Sequence, residues 1–159
     1  MMEYFITLNI GEMRFEKMTV SIKKLTSRQE WIEAYAILVQ LRTELTVEKY
    51  LRLLKEMIQD GYMLFALYEN MKIVAVAGLS WRVNFYSERH MFVYDLVTDE
   101  AYRSRGYGEK LLHYLHQWGK ENGAHYIALE SGIQRICAHR FYEDRLGYEK
   151  WCYSFRKEL

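Results

Sequence analysis

Proline is absent from the 159 residues, and no low-complexity tract or internal repeat interrupts the chain. Without a linker signal, residues 18–159 are predicted to form a single domain, a length that suits one hydrophobic core. Residues 1–17 fit poorly with the pattern that follows them. We interpret them as an N-terminal extension, with an additional edge strand as the alternative.

Residues that cross-link chains or bind metals are scarce. Cysteine occurs only at Cys137 and Cys152, without CxxC spacing, so neither a disulfide framework nor a structural zinc site is expected. The spacing of Cys137 from neighbouring apolar residues predicts a core position. His113, His116 and His125 lack the spacing of a ligand set, and we expect no metal.

The chain also lacks an excess of charge of one sign and has no long apolar run. The 22 Lys and Arg residues balance 21 Asp and Glu residues, which argues against nonspecific binding to nucleic acid. The longest apolar run, IVAVAGL, is far shorter than the roughly 20 residues of a membrane span, and the N-terminus does not resemble a signal peptide. We expect a soluble cytoplasmic protein, monomeric or homodimeric, without membrane or nucleic-acid partners.

Several short signals predict helices and a hairpin in the first half of the chain. Ser27 precedes an apolar-periodic run and has Glu30 three residues later, the pattern of a capping box. Thr46 is predicted to begin a second helix, which Gly61 ends. Two apolar strands then meet at Asn70-Met71, a spacing that indicates a β-hairpin.

The second half of the chain alternates between strands and helices. A third long strand, HMFVYDLVTD, precedes an amphipathic helix that begins near Tyr107, and a short strand, YIALE, follows it. A further helix is predicted to end at Gly147, and 148–159 to form a final strand. The order β-α-α-β-β-β-α-β-α-β predicts an α/β protein. Its central sheet is expected to be mixed and mostly antiparallel, with six to seven strands and helices on both faces.

The sequence RSRGYG, residues 103–108, stands between the third strand and the amphipathic helix. The first turn of a helix presents free N–H groups and the positive end of the helix dipole. Glycines allow a phosphate to approach the backbone, and arginines add pairing charge. A dinucleotide fingerprint is excluded because Leu111 occupies its third glycine position, and a Walker loop is absent.

The pattern [Q/R]-x-x-G-x-[G/A] after a strand and before a helix resembles the acetyl-coenzyme A loop of the GNAT N-acetyltransferases. The segments LVTDEAYRSRGYG, YIALES and AHRFYEDRLGY follow the layout of that family. The resemblance is firm over 92–148 and loose over 19–91. It implies transfer of an acetyl group from acetyl-CoA to a primary amine, by direct attack in a ternary complex.

The resemblance implies which residues hold the cofactor. The family splays its strand near Val97 and Thr98, where a bulge frees backbone groups for the pantetheine arm and the thioester carbonyl. Arg135 departs from the family pattern, which often has asparagine at that position. The implied cofactor-binding residues are Leu96, Val97, Thr98, Arg103, Ser104, Arg105, Gly106, Tyr107, Gly108, Glu109, Arg135 and Ala138.

Three residues are candidates for proton transfer. The resemblance implies that Tyr142 protonates the departing thiolate as a general acid. The acceptor amine arrives as an ammonium, so a base must take its proton. Glu130, at the end of a strand, is one candidate base, and Asp95, on the preceding strand, is the other.

The sequence leaves open the identity of the acceptor amine and two alternative functions. The helices over 28–59 and the hairpin over 81–86 are expected to shape the acceptor site, for a small amine or a protein amino group. Acidic residues that could attract a cation and basic residues that oppose an anion both occur in or near these segments, namely Glu44, Glu48, Glu88, Arg82 and Arg89. A non-catalytic coenzyme A-binding regulatory domain is the first alternative, and a plain interaction module is the second.

Overall fold

The computed structural model describes residues 19–159, so the interpretation of residues 1–17 lies outside the described part. The elements, in chain order, are β1 (Val20–Lys24), α1 (Arg28–Leu38), α2 (Val47–Gln59), β2 (Met63–Glu69), β3 (Lys72–Asn84), β4 (Glu88–Thr98), a 3₁₀ turn (Glu100–Tyr102), α3 (Tyr107–Glu121), β5 (Tyr126–Leu129), α4 (Ile136–Arg140) and a π-helical turn (Phe141–Arg145).

The strands of the described region form one sheet in the order β1-β2-β3-β4-β5. The first three pairings are antiparallel, and β4 pairs with β5 in parallel. A mixed, mostly antiparallel sheet is therefore confirmed. It has five strands rather than the predicted six to seven.

The missing strand is the predicted one over 148–159, where the described chain is irregular. Trp151, Tyr153 and Phe155 alternate as in a strand, but each is at least 60% exposed. Alternation specifies a strand only where a neighbouring backbone and a covered face are available. Within residues 19–159 no strand pairs with this segment, so the prediction is wrong there.

Two apolar layers cover the two faces of the sheet, as predicted. On one face α1 and α2 contribute buried residues such as Leu38 and Leu54. On the other face α3 buries Leu111, Leu112 and Leu115 completely. The amphipathic pattern of α3 therefore sets which side of the helix meets the sheet.

Cys137 does not lie in the core, contrary to the prediction. Its thiol is exposed on α4, which is only five residues long. The helix predicted up to Gly147 is replaced from Phe141 by the π-helical turn. Ile133, four residues before Cys137, lies outside α4 and is 82% exposed, so no apolar helical stripe runs through Cys137.

The local signals in the first half of the chain are confirmed. The Ser27 hydroxyl accepts from the backbone N–H of Glu30, whose carboxylate accepts from the N–H of Ser27. The hairpin turns at Asn70 and Met71, both with positive φ, as a two-residue turn of right-twisted strands requires. Among the helices of residues 19–159, none is long and apolar enough to cross a membrane.

Candidate active site

The central feature of the site is the divergence of β4 from β5. The parallel pairing covers only His90–Val93 of β4, opposite Tyr126–Leu129, although β4 continues to Thr98. The Asp99 N–H donates to Val74, so the alternation of an antiparallel pair turns the backbone groups of Leu96 and Thr98 away from β3. In the described region, this part of β4 therefore has an edge that pairs with no other strand, and the edge faces the gap between β4 and β5, which we call the cleft. Its Thr98 carbonyl has a side-chain donor, Arg103.

A β-bulge lies just before this free edge. Asp95 is opposite Gly78 and Val93 is opposite Leu79, which leaves Tyr94 as the extra residue. The bulge is thus three residues earlier than the position near Val97 that the family layout suggested. The extra residue shifts the alternation of side chains between the two faces of the sheet. The side chains of Tyr94 and Asp95 therefore both lie on the face that α1 and α2 cover.

The RSRGYG loop connects the end of β4 to the first turn of α3. Gly106 is the N-cap in a left-handed conformation, φ 78°, and no side chain caps the helix. The first N–H groups of α3 are therefore available to an anion at the carboxyl end of β4. Ser104 also has positive φ, and the Arg103 guanidinium donates to the Thr98 carbonyl.

Buried contacts hold the loop in place. Tyr107 is 5% exposed, and its hydroxyl donates to the Glu69 carboxylate at the end of β2. Arg105 lies over the Tyr102 ring and donates to the Ala101 carbonyl. Tyr107 can therefore serve a ligand only through its backbone, whereas the arginine side chains lie at the surface.

Gly108 marks a close approach between three elements. A Cβ at this position would lie 3.2 Å from the Thr98 hydroxyl oxygen and 3.8 Å from the Phe141 ring. The π-helical turn therefore packs against the start of α3. The Arg145 guanidinium strengthens this contact, because it donates to the Glu109 carboxylate at 2.6 Å.

Tyr142 lies on that π-helical turn, half-buried, with its ring 5.7 Å from the ring of Tyr148. Burial raises the pKa of Tyr142, and the positive charge of Arg135 partly opposes the shift. The phenol is thus protonated throughout the neutral range, as a proton donor must be. Tyr142, Arg135 and Ala138 all belong to the short α4 region that the structure brings beside the loop.

The two candidate bases have different surroundings, although both follow the last β4–β5 pair, Val93 with Leu129. Glu130 is exposed, and one of its oxygens accepts from the Arg156 guanidinium at 2.8 Å. The carboxylate of Asp95 is only 11% exposed. Its Oδ1 accepts from Nε and Nη2 of Arg42 at 2.9 and 2.7 Å.

Tyr62 completes the surroundings of Asp95. Its buried hydroxyl donates to Asp95 Oδ2 at 3.3 Å. A Cβ at Gly78 would overlap the Tyr62 phenol, so only glycine leaves room for this contact. Burial and then the negative charge of Asp95 raise the pKa of Tyr62 well above its ordinary range.

Tyr94, the bulge residue, is held by two polar neighbours. Its hydroxyl is 3.0 Å from the Ser80 hydroxyl and accepts from the Arg82 guanidinium at 3.1 Å. Burial alone would raise the pKa of Tyr94, but the hydrogen bonds with Ser80 and Arg82 and the positive charge of Arg82 together outweigh it, so the pKa is lowered. Arg82 also lies over the Phe92 ring, 3.5 Å from its centroid.

Four residues of the site were not predicted from the sequence, namely Arg42, Tyr62, Gly78 and Tyr94. A glycine inside the apolar run IVAVAGL was a usable signal, because a strand glycine often marks a bulge or a close approach. Arg42 carried no signal, because nothing in the segment QLRTEL distinguishes it from an ordinary surface arginine. Within residues 19–159 no three His, Cys, Asp or Glu side chains are grouped to hold a metal.

Comparisons with known proteins identify the family. The family model described as "Acetyltransferase (GNAT) family" matches residues 28–148. A Bacillus subtilis (strain 168) protein named "Uncharacterized N-acetyltransferase YhdJ" is 46% identical over 141 residues, which cover 88% of this chain and 99% of that protein.

Solved structures share the fold. The aminoglycoside N-acetyltransferase AAC(6')-Iy in complex with CoA superposes with a TM-score of 0.79 at 17% identity, covering 92% of this chain and all of that one. A GNAT family acetyltransferase of Staphylococcus aureus gives 0.73 at 20% identity, over 89% of this chain and all of that one.

The mixed sheet flanked by helices thus has the architecture of acyl-transferring enzymes that use coenzyme A. The chain belongs to the acetyltransferase (GNAT) family. It is an acetyl-CoA-dependent N-acetyltransferase, with acetyl-CoA as co-substrate and an amine as acceptor.

Proposed function

We propose that the cleft between β4 and β5 is where acetyl-CoA binds and where its acetyl group is transferred. The observation that carries this proposal is the free edge of β4 at Leu96 and Thr98, next to the uncapped N-terminus of α3. An extended pantetheine arm pairs with such an edge as an added strand would. The pyrophosphate then meets the N–H groups that follow Gly106.

The cofactor contacts divide among the RSRGYG loop, β4 and α4. The backbone of Leu96, Val97 and Thr98 meets the pantetheine. The loop from Arg103 to Gly108, with the first turn of α3 at Glu109, meets the pyrophosphate. Arg135 and Ala138 border the cofactor from α4, where Arg135 supplies positive charge close to Tyr142.

The reaction is a direct transfer. The amine nitrogen attacks the thioester carbonyl, the C–N bond forms, and the C–S bond breaks. Tyr142 protonates the departing thiolate and recovers a proton from the nitrogen. Backbone N–H groups beside the bulge stabilise the oxyanion, and holding both reactants together lowers the entropic cost.

Glu130 and Asp95 are the proposed alternatives for the base. Glu130 is exposed and its ion pair with Arg156 lies at the surface, so it can exchange a proton with water. Asp95 lies next to the bulge, but Arg42 holds it in an ion pair. Either carboxylate would remove the proton of the incoming ammonium.

An amine screen with two variants tests the function and separates the bases. Acetyl-CoA and an amine library are incubated with the protein, and thiol release and acetylated products are measured. Glu130→Gln or Asp95→Asn, whichever removes the base, should lose activity most at low pH and recover partly as pH rises. An enzyme that binds acetyl-CoA but acetylates no amine would contradict transfer.

The composition supports the proposed location and the proposed lack of nucleic-acid and membrane partners. A balanced charge and two free cysteines favour a cytoplasmic protein without nucleic-acid or membrane partners. Whether it acts as a monomer or a homodimer stays a prediction, which sedimentation measurements would decide.

A further inference from the structure

A cavity of about 270 Å³ lies between α1, α2 and the bulge in β4. Most of its lining is apolar or aromatic, including Leu38, Leu45, Leu53 and Met57. Its polar end is formed by Arg42 and Asp95, immediately next to the bulge. The cavity therefore combines an apolar interior with one charged pair at the point where β4 leaves β5.

The charged pair has free hydrogen-bonding capacity of both signs. Arg42 uses Nε and Nη2 for Asp95 and for the Tyr94 carbonyl, and within residues 19–159 its Nη1 has no partner. Asp95 Oδ2 accepts only the 3.3 Å contact from Tyr62 in the same region. One donor group and one acceptor atom thus remain for a ligand.

We propose that the acceptor is a zwitterionic α-amino acid with an apolar side chain. Its ammonium group meets Asp95 Oδ2, its carboxylate meets Arg42 Nη1, and its side chain fills the apolar interior. This inference rests on the proposed function, because it places the amine beside the cleft that takes acetyl-CoA. Charged hydrogen bonds of both signs would orient the nitrogen toward the thioester.

The charges that line the cavity argue against a polycationic acceptor. Within residues 19–159, Asp95 is the one acidic side chain that lines the cavity, and Arg42 pairs with it. Glu44 and Lys49 line an adjoining hollow that shares Arg42, and their charges balance. Asp60 lies near enough to Tyr94 to affect its pKa but does not line the cavity. Arg82 adds positive charge beside Tyr94. A polyamine or an aminoglycoside would bring several ammonium groups against one paired carboxylate, and most of them would lose hydration without a partner.

The proton balance follows from this placement. The ammonium loses one proton to the base, which passes it to water. The free amine attacks, the C–N bond forms, and the C–S bond breaks. The second nitrogen proton replaces the one that Tyr142 gives to the thiolate, so the products are the N-acetyl amino acid and coenzyme A.

A matched substrate panel tests the inference. Leucine, leucinamide and 3-methylbutylamine share the side chain, but only leucine carries a carboxylate. We expect kcat/KM for leucine to exceed that of both analogues by about tenfold or more, as loss of one charged hydrogen bond of about 1.5 kcal/mol implies. Glycine, spermidine and kanamycin should be poorer still. Products are identified by mass spectrometry.

Two variants assign the effect to the charged pair. Arg42→Met should lower kcat/KM for leucine by at least about tenfold and that for 3-methylbutylamine much less. Arg52→Gln is the matched control, because Arg52 is an exposed arginine of α2 that pairs with Glu56. The control should retain the wild-type preference. If Arg42→Met fails to fold, the wild-type panel decides alone.

The outcomes distinguish this inference from the proposed function. Equal or better acetylation of leucinamide, 3-methylbutylamine or a polycation would overturn the inference and leave acetyl transfer intact. The same holds if other amines are acetylated and no apolar amino acid is. Failure to bind acetyl-CoA would instead overturn the proposed cleft itself.

Discussion

At the scale of single residues, the Tyr142 hydroxyl combines a proposed catalytic role with a small expected contribution to stability. It sits half-buried on the π-helical turn, and within the described residues it makes no hydrogen bond that folding would need. Burial keeps the phenol protonated by raising its pKa. A group in this state can donate a proton and contributes little to stability, so a substitution can separate the two roles.

Tyr142→Phe should lower kcat by about 10²-fold, the lower end of the range for loss of a general acid, because a thiolate leaves comparatively well unaided. The affinity for acetyl-CoA and the free energy of unfolding should change little. Steady-state kinetics measures kcat, calorimetry measures the affinity, and urea denaturation measures the free energy of unfolding. Tyr153→Phe, which changes an exposed tyrosine, is the control. If Tyr142→Phe turned over at the wild-type rate while the chemical step limited that rate, Tyr142 would not be the general acid.

Gly78→Ala tests the packing of Gly78 against Tyr62, the residue that donates to Asp95. The new Cβ would overlap the Tyr62 phenol, which must then move away from Asp95. We expect a loss of about 1–3 kcal/mol in the free energy of unfolding, the usual cost of overpacking. Urea denaturation measures it. Tyr62→Phe with Gly78→Ala should recover part of the loss; an additive result would show that the two residues do not meet.

At the scale of secondary structure, the start of α1 depends on Glu30. Its carboxylate pairs with Lys23 and accepts from the N–H groups of Thr26 and Ser27, which together lower its pKa from 4.5 to about 2. A carboxyl group with a lowered folded-state pKa stabilises the fold above its unfolded pKa. That contribution is lost as pH falls from about 4.5 toward 2.

Glu30→Gln should therefore reduce stability by about 1 kcal/mol at neutral pH, the usual worth of a helix cap. The difference from wild type should shrink as pH falls through the window between 4.5 and 2. Thermal unfolding at several pH values measures this. Glu33→Gln on the same helix is the control, and a pH-independent difference would show that charge is not involved.

The RSRGYG loop and the first turn of α3 can be tested by substitutions at Gly108. Gly108→Asp places a carboxylate beside the first N–H groups of α3, so affinity for acetyl-CoA should fall by about 100-fold or more. Gly108→Ala adds only the Cβ, which lies 3.2 Å from the Thr98 hydroxyl and needs a small adjustment. It should cost less affinity. Isothermal titration that finds both variants equal to wild type would remove the loop from the site.

At the scale of the whole molecule, acetyl-CoA should stabilise the protein because it binds only the folded state. At a concentration 100 times its Kd the gain is about 2.7 kcal/mol, which raises Tm by about 5–10 °C for a chain of this length. ATP and NAD should give much smaller shifts in the same thermal assay. An equal shift with ATP would mean that the loop recognises phosphate alone.

Elements whose signals are local could be predicted from the chain alone. The capping box at Ser27, the turn at Asn70 and Met71, and the apolar stripe of α3 depend on residues a few positions apart. The glycine-arginine loop and its place before a helix were equally visible. Together they indicated the family, the mixed sheet and acetyl-CoA, and the structure and comparisons confirm all three.

Features that depend on distant partners arise only when the chain folds. Whether 148–159 forms a strand depends on a neighbouring backbone, and the position of the bulge depends on the register of β3 against β4. Asp95 acquires its ion pair from Arg42, 53 residues earlier, and its second contact from Tyr62. Such contacts arise when the sheet brings separate segments together, and no pattern along the chain encodes their distance.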